Sequence, residues 1–394
     1  MPKLTIDRLP LAGKRVFVRA DLNAPLEDGQ VSDDTRLRAV LPTLRLALDA
    51  GAAVVLASHL GRPKGGPDPK YSLRPVAERL AALLDRPVPL APDCIGEPTR
   101  SQALGLKPGE LLLLENLRFH PEEEKNDDGF ARQLAELADC YVDDAFAAAH
   151  RAHASIDAIT RHLQPAAAGL LMQRELQALG RILEAPERPL VAVLGGAKVS
   201  DKVALVEHLL ARVDALLIGG GMAFTFLRAL GHTIGRSLVE PDRIETARAA
   251  LEAARRRGVH LALPVDAVVA DGLDSASGRA VGIREIPDGQ MGLDIGPRTI
   301  ERFTALLKTA RTIVWNGPMG VFEKPPFAEG TLAVARAVAD ASAFSVIGGG
   351  DTIAAVNMAG VADRIGYIST AGGAFLEFLE GRALPGVDAL TEAA

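Results

Sequence analysis

The sequence predicts an α/β protein of two doubly wound parallel-sheet domains, each a Rossmann-like three-layer αβα arrangement, joined by a hinge helix. Three observations carry that expectation. Short apolar runs alternate along the whole chain with longer helical patterns rich in Ala, Leu, Arg and Glu, as parallel strands covered by helices on both faces require. At 394 residues the chain exceeds what one core usually supports. The alternation falls into two sets, parted by Pro165, the alanines ending at Ala168 and a helical stretch from Leu170 to Leu183.

In the first set the strand candidates are Arg15–Arg19, Ala53–Ala57, Leu111–Leu114 and Cys140–Val142. In the second they are Leu190–Leu194, Ala215–Ile218, His260–Pro264, Thr312–Trp315 and Phe344–Ile347. Helical segments such as Leu73–Leu84 and Lys202–Arg212 lie between. The expected domains are residues 1–168 and residues 169–379, the second opening with the hinge helix, with the boundary inside 165–180.

Composition excludes several functions. The aromatic fraction of 4% is too low for base-stacking platforms. Residues 1–168 carry 21 Lys+Arg and 24 Asp+Glu, and residues 169–394 carry 23 and 26, so each part sums to −3. Neither is a basic nucleic-acid or membrane module, and any anion site must come from a few well-placed cations. Cys94 and Cys140 lack metal-type spacing and lie in or near apolar segments, which suggests buried free thiols in a reducing compartment. No signal segment is visible, and no apolar run approaches about 18 residues. The expected compartment is the cytosol.

Ligands of α/β sheets bind beyond the carboxyl ends of the strands, so the informative residues follow each apolar run. After Val16–Val18 come Asp21 and Asn23, alternating to one side, where they can exchange hydrogen bonds with hydroxyl or carboxyl groups. After Val54–Leu56 come His59 and Arg62, after Leu111–Leu114 comes Arg118, and after Tyr141–Val142 come His150, Arg151 and His153. Arg36 stands at a plausible helix start. An exposed ion pair explains any one such arginine. Four of them, with His59, can gather in one cleft, and the guanidinium fork suits carboxylate and phosphate oxygens. His150 and His153 lack an evident third zinc ligand, so burial or loop hydrogen bonding is expected of them.

The second set carries glycine clusters at strand ends. Gly195-Gly196-Ala197-Lys198 leads into a helix, with Lys198 and Lys202 four apart and on one face if that helix begins early. This is neither a Walker loop nor a dinucleotide fingerprint. Gly219–Gly221 follows another run, and Trp315–Glu323 offers an adenosine pocket with Glu323 on ribose hydroxyls. Ser369–Ala374 precedes a further helix. In Val346–Ile353, three glycines and Asp351-Thr352 stand between a strand and a helix running to Met358. Free N–H groups at such a helix start bind phosphate, and a carboxylate beside phosphate implies a divalent cation between them. Simple capping of the helix by Asp351 or Thr352 is the other reading. Singly, each glycine cluster is a turn; together they point to close backbone approach to a ligand.

In order, Arg19-Ala20-Asp21-Leu22-Asn23, Ser58–Pro63, Leu113–His120, Ala149–Ala154, Gly195–Lys202, Trp315–Glu323 and Gly348–Thr352 closely resemble phosphoglycerate kinases along essentially the whole chain. The resemblance implies an N-terminal domain that holds 3-phosphoglycerate or 1,3-bisphosphoglycerate with Asp21, Asn23, Arg36, His59, Arg62, Arg118 and Arg151. It implies a C-terminal domain for Mg-ADP or Mg-ATP. There Lys198 and Lys202 meet the transferring phosphate, Asp351 the magnesium, and Thr352 with Gly349 and Gly350 the nucleotide phosphates. Asn316 and Glu323 serve the nucleoside, and Gly349 and Gly372 join Arg36 and the two lysines at the reaction centre. It further implies a glycolytic, hinge-bending monomer, with residues 380–394 returning to the first domain. The chain departs from the family's pattern at Ala147, Ala148, Ala371, Phe375 and Asp143. A loop needing positive φ at Ala147 or Ala371 would be strained.

A carboxylate acceptor has a pKa of about 4, so it is already an ionised nucleophile and needs no general base. Repulsion between two polyanions is the obstacle, and pre-placed cations and helix starts address it. A nicotinamide-dependent dehydrogenase would also show two α/β domains, but its fingerprint is missing. A two-lobed anion-binding protein would carry an export signal and would not need Lys198, Lys202 and Asp351.

Overall fold

The computed structural model describes residues 2–393. The chain divides into two compact units: one runs to Gln177 and includes the segment from Ala383 on, and the other is Ala178–Arg382.

The first unit holds a five-stranded parallel sheet ordered Leu111–Leu113, Ala53–Ala57, Arg15–Ala20, Cys140–Asp144, Ala166–Ala168. Its inner strands are buried on both faces, as continuous apolar runs demand. The helix Thr35–Asp49 covers one face with Leu37, Val40, Leu41, Leu44, Ala47 and Leu48, a helical repeat that turns one stripe into the core. The C-terminal segment belongs to this unit: Leu4 donates to Thr391 O at 2.8 Å and Thr391 donates to Ala166 O at 2.9 Å.

The second unit has a six-stranded parallel sheet ordered His260–Ala262, Ala215–Ile218, Leu190–Leu194, Thr312–Asn316, Phe344–Gly348, Tyr367–Ser369. It also has an antiparallel sheet of Arg279–Gly282, Asp266–Ala270 and Met291–Ile295, which the strand candidates omit. Ala166–Ala168 and Tyr367–Ser369 are likewise additional, because three-residue strands rich in alanine or at an edge carry little pattern. The strand expected to reach Pro264 ends at Ala262, where a proline could not extend the ladder. In each sheet the first strand of its unit is central, with later strands on both sides. Ala20 and Leu194 therefore end at points where the strand order reverses, the usual place for a crevice.

The helix Leu170–Leu183 forms as its periodicity predicts. The strain considered for the alanine substitutions does not arise. Ala147 lies in the short 3₁₀ turn Phe146–Ala148, and Ala371 has φ −102°. Among the described residues only Asp28, Asp85 and Asn126 are non-glycines with positive φ. Phe375 is fully buried with its ring over Gly348, so a Cβ at 348 would strike it.

Candidate active site

Beyond the carboxyl end of Arg15–Ala20, Asp21 folds an Asx turn, its Oδ1 accepting from Asn23 N at 3.1 Å. Its Oδ2 accepts from Arg36 Nη1 at 2.8 Å, and the same guanidinium nitrogen reaches Asn23 O at 3.3 Å. Asn23 Oδ1 accepts from Gly61 N at 2.8 Å, and Arg118 Nη1 donates to Gly61 O at 2.7 Å. Asn116, fully buried, pins the same loop by accepting from Leu60 N at 3.2 Å and donating to Leu60 O at 2.8 Å. Three strand ends and the start of the helix Thr35–Asp49 are thus tied into one polar floor bearing Asp21, Asn23, Arg36, His59 and Arg118.

The cations of this floor act on one another. Burial holds the His59 imidazole well below its ordinary range, and the charges of Arg19, Arg118, Arg36 and His153 push the same way. Burial brings His153 down to about 4, aided by Arg19, Arg118 and Arg151. Arg118 loses some basicity to burial, which its 3.3 Å ion pair with Glu124 partly offsets. Arg62 and Arg151 are exposed, and among the described residues neither has an acidic partner. Such unpaired guanidinium charge is available to an anion. His153 is buried in its loop, as expected.

In the second unit the glycine turns knit together. Gly195 N donates to Asn316 O at 3.0 Å, Gly196 N to Pro318 O at 2.9 Å and Gly220 N to Met319 O at 2.9 Å. A Cβ on Gly195 would collide with the carbonyls of Pro318 and Gly317, and one on Gly220 with the backbone of Gly196. These glycines are therefore required by the approach of turn to turn. Gly350 and Gly372 instead face open space at the starts of the helices Gly350–Met358 and Gly372–Leu379.

Lys198 and Lys202 do not share a helix face. Residues 195–199 form a turn, a 3₁₀ segment covers Ser200–Lys202, and the α-helix begins only at Val203. The carboxylate of Glu240 takes the free N–H groups of Val199 at 2.6 Å and Ser200 at 3.1 Å, so a protein anion already sits there. Lys198 stays exposed while Lys202 is buried. Lys202 Nζ donates to Asn316 O at 3.2 Å and to Asn316 Oδ1. Burial lowers its ammonium to about 8, against the pull of Asp201 and Asp351. Asn316 turns inward, with Nδ2 donating to Gly348 O at 2.6 Å.

Neither Asp351 nor Thr352 caps its helix. The N-cap is Gly349 at φ 96°, and Thr352 Oγ1 accepts from Gly317 N at 2.7 Å instead. Asp351 is exposed and makes no hydrogen bond or ion pair among the described residues. Beside it opens a cavity of ≈ 390 Å³ with an apolar floor including Phe224, Leu238, Leu293 and Met319, and with Glu323 and Asp351 among its lining. A space of that size with few polar groups suits a nucleoside. Asp294, also in its lining, accepts from Gly330 N at 2.7 Å at the start of the helix Glu329–Asp340, and burial raises its carboxyl to about 7.

The sequence matches the phosphoglycerate kinase family over residues 6–382. The chain belongs to the phosphoglycerate kinase family. The phosphoglycerate kinase of Moorella thermoacetica is 57% identical over 393 residues, covering 100% of both chains. That of Acidobacterium capsulatum is 57% identical over 403 residues, again covering 100% of both. The structure of phosphoglycerate kinase from Coxiella burnetii superposes with a TM-score of 0.93 at 44% identity, covering 98% of each chain. That from Pyrococcus horikoshii gives 0.81 at 36%, also covering 98% of each.

Several residues of these clusters carry no signal in the sequence. Phe224 and Leu238 read as ordinary core, and Glu240 as an exposed acid. Arg19 stands inside a motif without a role of its own, although a charge within a buried strand is the available signal. A cluster of metal-type ligands also appears where cysteine spacing gave no hint: Asp93, Cys94 and His120. His120 Nε2 lies 2.6 Å from Asp93 Oδ1, and Cys94 Sγ donates to Glu115 O at 2.9 Å, so each of these groups already has a protein partner. No helix is long and apolar enough to cross a membrane among the described residues.

Proposed function

We propose that the side-chain cluster of the first unit holds 3-phosphoglycerate or 1,3-bisphosphoglycerate and that the glycine-knit cluster of the second holds ATP or ADP. The activity is that of the family: reversible transfer of a phosphoryl group between the nucleotide and the carboxylate of 3-phosphoglycerate, a step of glycolysis. The observation that carries the assignment is the pair of unlike anion sites, each growing from the central strand of its own sheet.

In this reading Arg36, Arg62, Arg118, Arg151, His59, Asp21 and Asn23 bind and orient the acceptor. The attacking carboxylate is ionised at neutral pH, and the absence of any need for a base fits a floor of cations and neutral donors. Lys202, with Lys198, meets the charge that spreads over the equatorial phosphoryl oxygens, and Arg36 does so from the acceptor side. Gly349, Gly350 and Gly372 present backbone N–H groups at two helix starts, and Thr352 braces the first of them through Gly317. Asn316 acts by fixing Lys202 and Gly348, and Glu323 meets the ribose.

Magnesium would travel with the nucleotide and sit at Asp351. The donor set fits, because one exposed carboxylate without a partner suits a cation that keeps water and phosphate oxygens as its other ligands. When bound, that ion supplies neutralisation of the phosphate charge. In-line transfer requires donor phosphoryl and acceptor carboxylate to come within bonding reach with water excluded. The free buried thiols Cys94 and Cys140 support a cytosolic enzyme, and we take a monomer as the working form.

A coupled assay of ATP consumption with 3-phosphoglycerate, with and without magnesium, tests this reading. Turnover that needs both substrates and the metal is expected. Well-folded protein that turns over neither pair of substrates would sink it.

A further inference from the structure

The acceptor floor rests on a buried line of charge that no substrate contact explains. Glu123, fully buried, accepts from Ser155 N at 2.9 Å and from Ser155 Oγ at 2.6 Å. Ser155 Oγ in turn accepts from Arg19 Nε at 2.8 Å. Arg19 is 1% exposed, remote from solvent for a residue type almost always found at the surface. Its Nη2 lies 3.2 Å from His59 Nδ1. A buried guanidinium is costly unless its charge is met and its donors are used. Glu123 meets the charge, and Ser155 aims the fork at His59.

That last contact decides a proton position. A guanidinium has only donors. The ring nitrogen facing it must therefore offer a lone pair, which leaves the single proton of a neutral imidazole on Nε2. Among the described residues no protein group bonds His59 Nε2. We propose that Arg19 is a positioning residue that holds His59 as the Nε2–H tautomer, so that the acceptor site presents a neutral N–H donor to a substrate oxygen where a bare count of basic residues would read a cation.

The groups around His59 act in the same sense. Arg19 faces it from the first strand, Arg36 from the helix Thr35–Asp49, Arg118 from the turn Leu117–Phe119 and His153 from the loop after Arg151. All oppose a second proton on the ring. The inference rests on His59 lining the acceptor site, but the tautomer can be read without turnover.

The test is ring-nitrogen NMR on the full chain labelled with ¹⁵N histidine, with His59→Gln used to assign the signal, from about pH 5.5 to 8. In the wild type, His59 should show a lone-pair Nδ1 and a protonated Nε2 that do not titrate across this range. Arg19→Met should mix the tautomers, while burial and the charges of Arg118, Arg36 and His153 still oppose a second proton on the ring. It should raise KM for 3-phosphoglycerate about tenfold with kcat changed far less, the loss of one aligned hydrogen bond. Arg19→Lys, which keeps a donor, should restore most of the Nε2–H signature and of KM. If Arg19→Met does not fold, Ser155→Ala removes only the group that aims the fork and should give a weaker form of the same change. A wild-type His59 protonated on Nδ1, or cationic at pH 7, overturns the proposal. So does an Arg19→Met or Ser155→Ala protein whose His59 signals match the wild type. Loss of phosphotransfer in every variant and in the wild type would instead indict the substrate assignment, leaving the tautomer result in place.

Discussion

The two clusters are built by opposite means for the anions proposed to bind them. In the first unit the work falls to long cationic side chains, each aimed by a neighbour: Arg36 by Asp21, Arg118 by Gly61, His59 by Arg19. In the second it falls to backbone at helix starts, with one buried lysine held by Asn316. In the proposed reading, a compact acceptor with a carboxylate and a phosphate would be gripped by rigid forks, and a polyphosphate chain would be cradled by N–H groups, which only glycine turns allow to come so close. Away from Gly61, whose backbone holds Asn23 and Arg118, the first cluster should tolerate backbone change and fail on loss of charge, and the second should fail on either.

The largest effect separates charge from fold. Lys202→Ala and Arg36→Ala should each lower kcat by roughly 10²–10³-fold, by analogy with loss of one oxyanion donor. Thermal melting of Lys202→Ala should be unchanged or higher, since a desolvated ammonium is removed. Normal turnover in either folded variant would break the symmetry of donor and acceptor cations.

Next comes Asp143, one of the positions where the resemblance to the family's pattern breaks. It is fully buried, and burial raises its carboxyl to about 7, against a hydrogen bond from Ala145 N and the charge of Arg19. For an acid raised in the folded state, the fold binds a proton that the unfolded chain has released, so stability grows as pH falls from about 7 toward about 4. Relative to wild type, Asp143→Asn should lose about 2–3 kcal/mol of advantage between pH 8 and pH 5, measured by denaturant titration. A pH-independent difference would show that Asp143 stays ionised.

Backbone comes third. Gly349→Ala, at φ 96°, should cost roughly 1–3 kcal/mol and weaken nucleotide binding. Gly372→Ala, which meets open space, should be close to neutral in stability. Equal costs would mean the two helix starts are built alike.

pH dependence should differ between the clusters as well. With Lys202 lowered to about 8, kcat/KM for the nucleotide should fall above that pH as the ammonium loses its charge. His59, held well below its ordinary range, should contribute no limb near neutrality. The smallest effect belongs to Arg62→Ala, an exposed arginine: a few-fold rise in KM for 3-phosphoglycerate and a stability change within about 0.5 kcal/mol. A larger rise would mean that exposed charge contributes more than the buried forks.

Legibility in the sequence follows the same divide. Asp21, Asn23, His59 and the arginines announce themselves, because charged groups just after apolar runs have few structural reasons to be there. The glycine clusters were visible, but their purpose was not. Gly195 and Gly220 answer to neighbouring turns, whereas Gly350 and Gly372 are open. Lys198 and Lys202 share a helix face only if the helix begins early, yet Glu240, forty residues on, takes the N–H groups of Val199 and Ser200 and the helix begins at Val203.

Taken alone, the amino-acid sequence determined the alternation of strand and helix, the long helix Leu170–Leu183, the placing of functional residues at strand ends and the family resemblance. Each depends on local period or on order along the chain, which are properties of neighbours in sequence. Tertiary structure decided the rest: the antiparallel sheet Asp266–Ile295, the inward turn of Asn316, the freedom of Asp351 and the buried line from Glu123 to His59. These are set by which groups meet across long separations, where burial fixes the value of a charge and a single donor fixes the side of a proton.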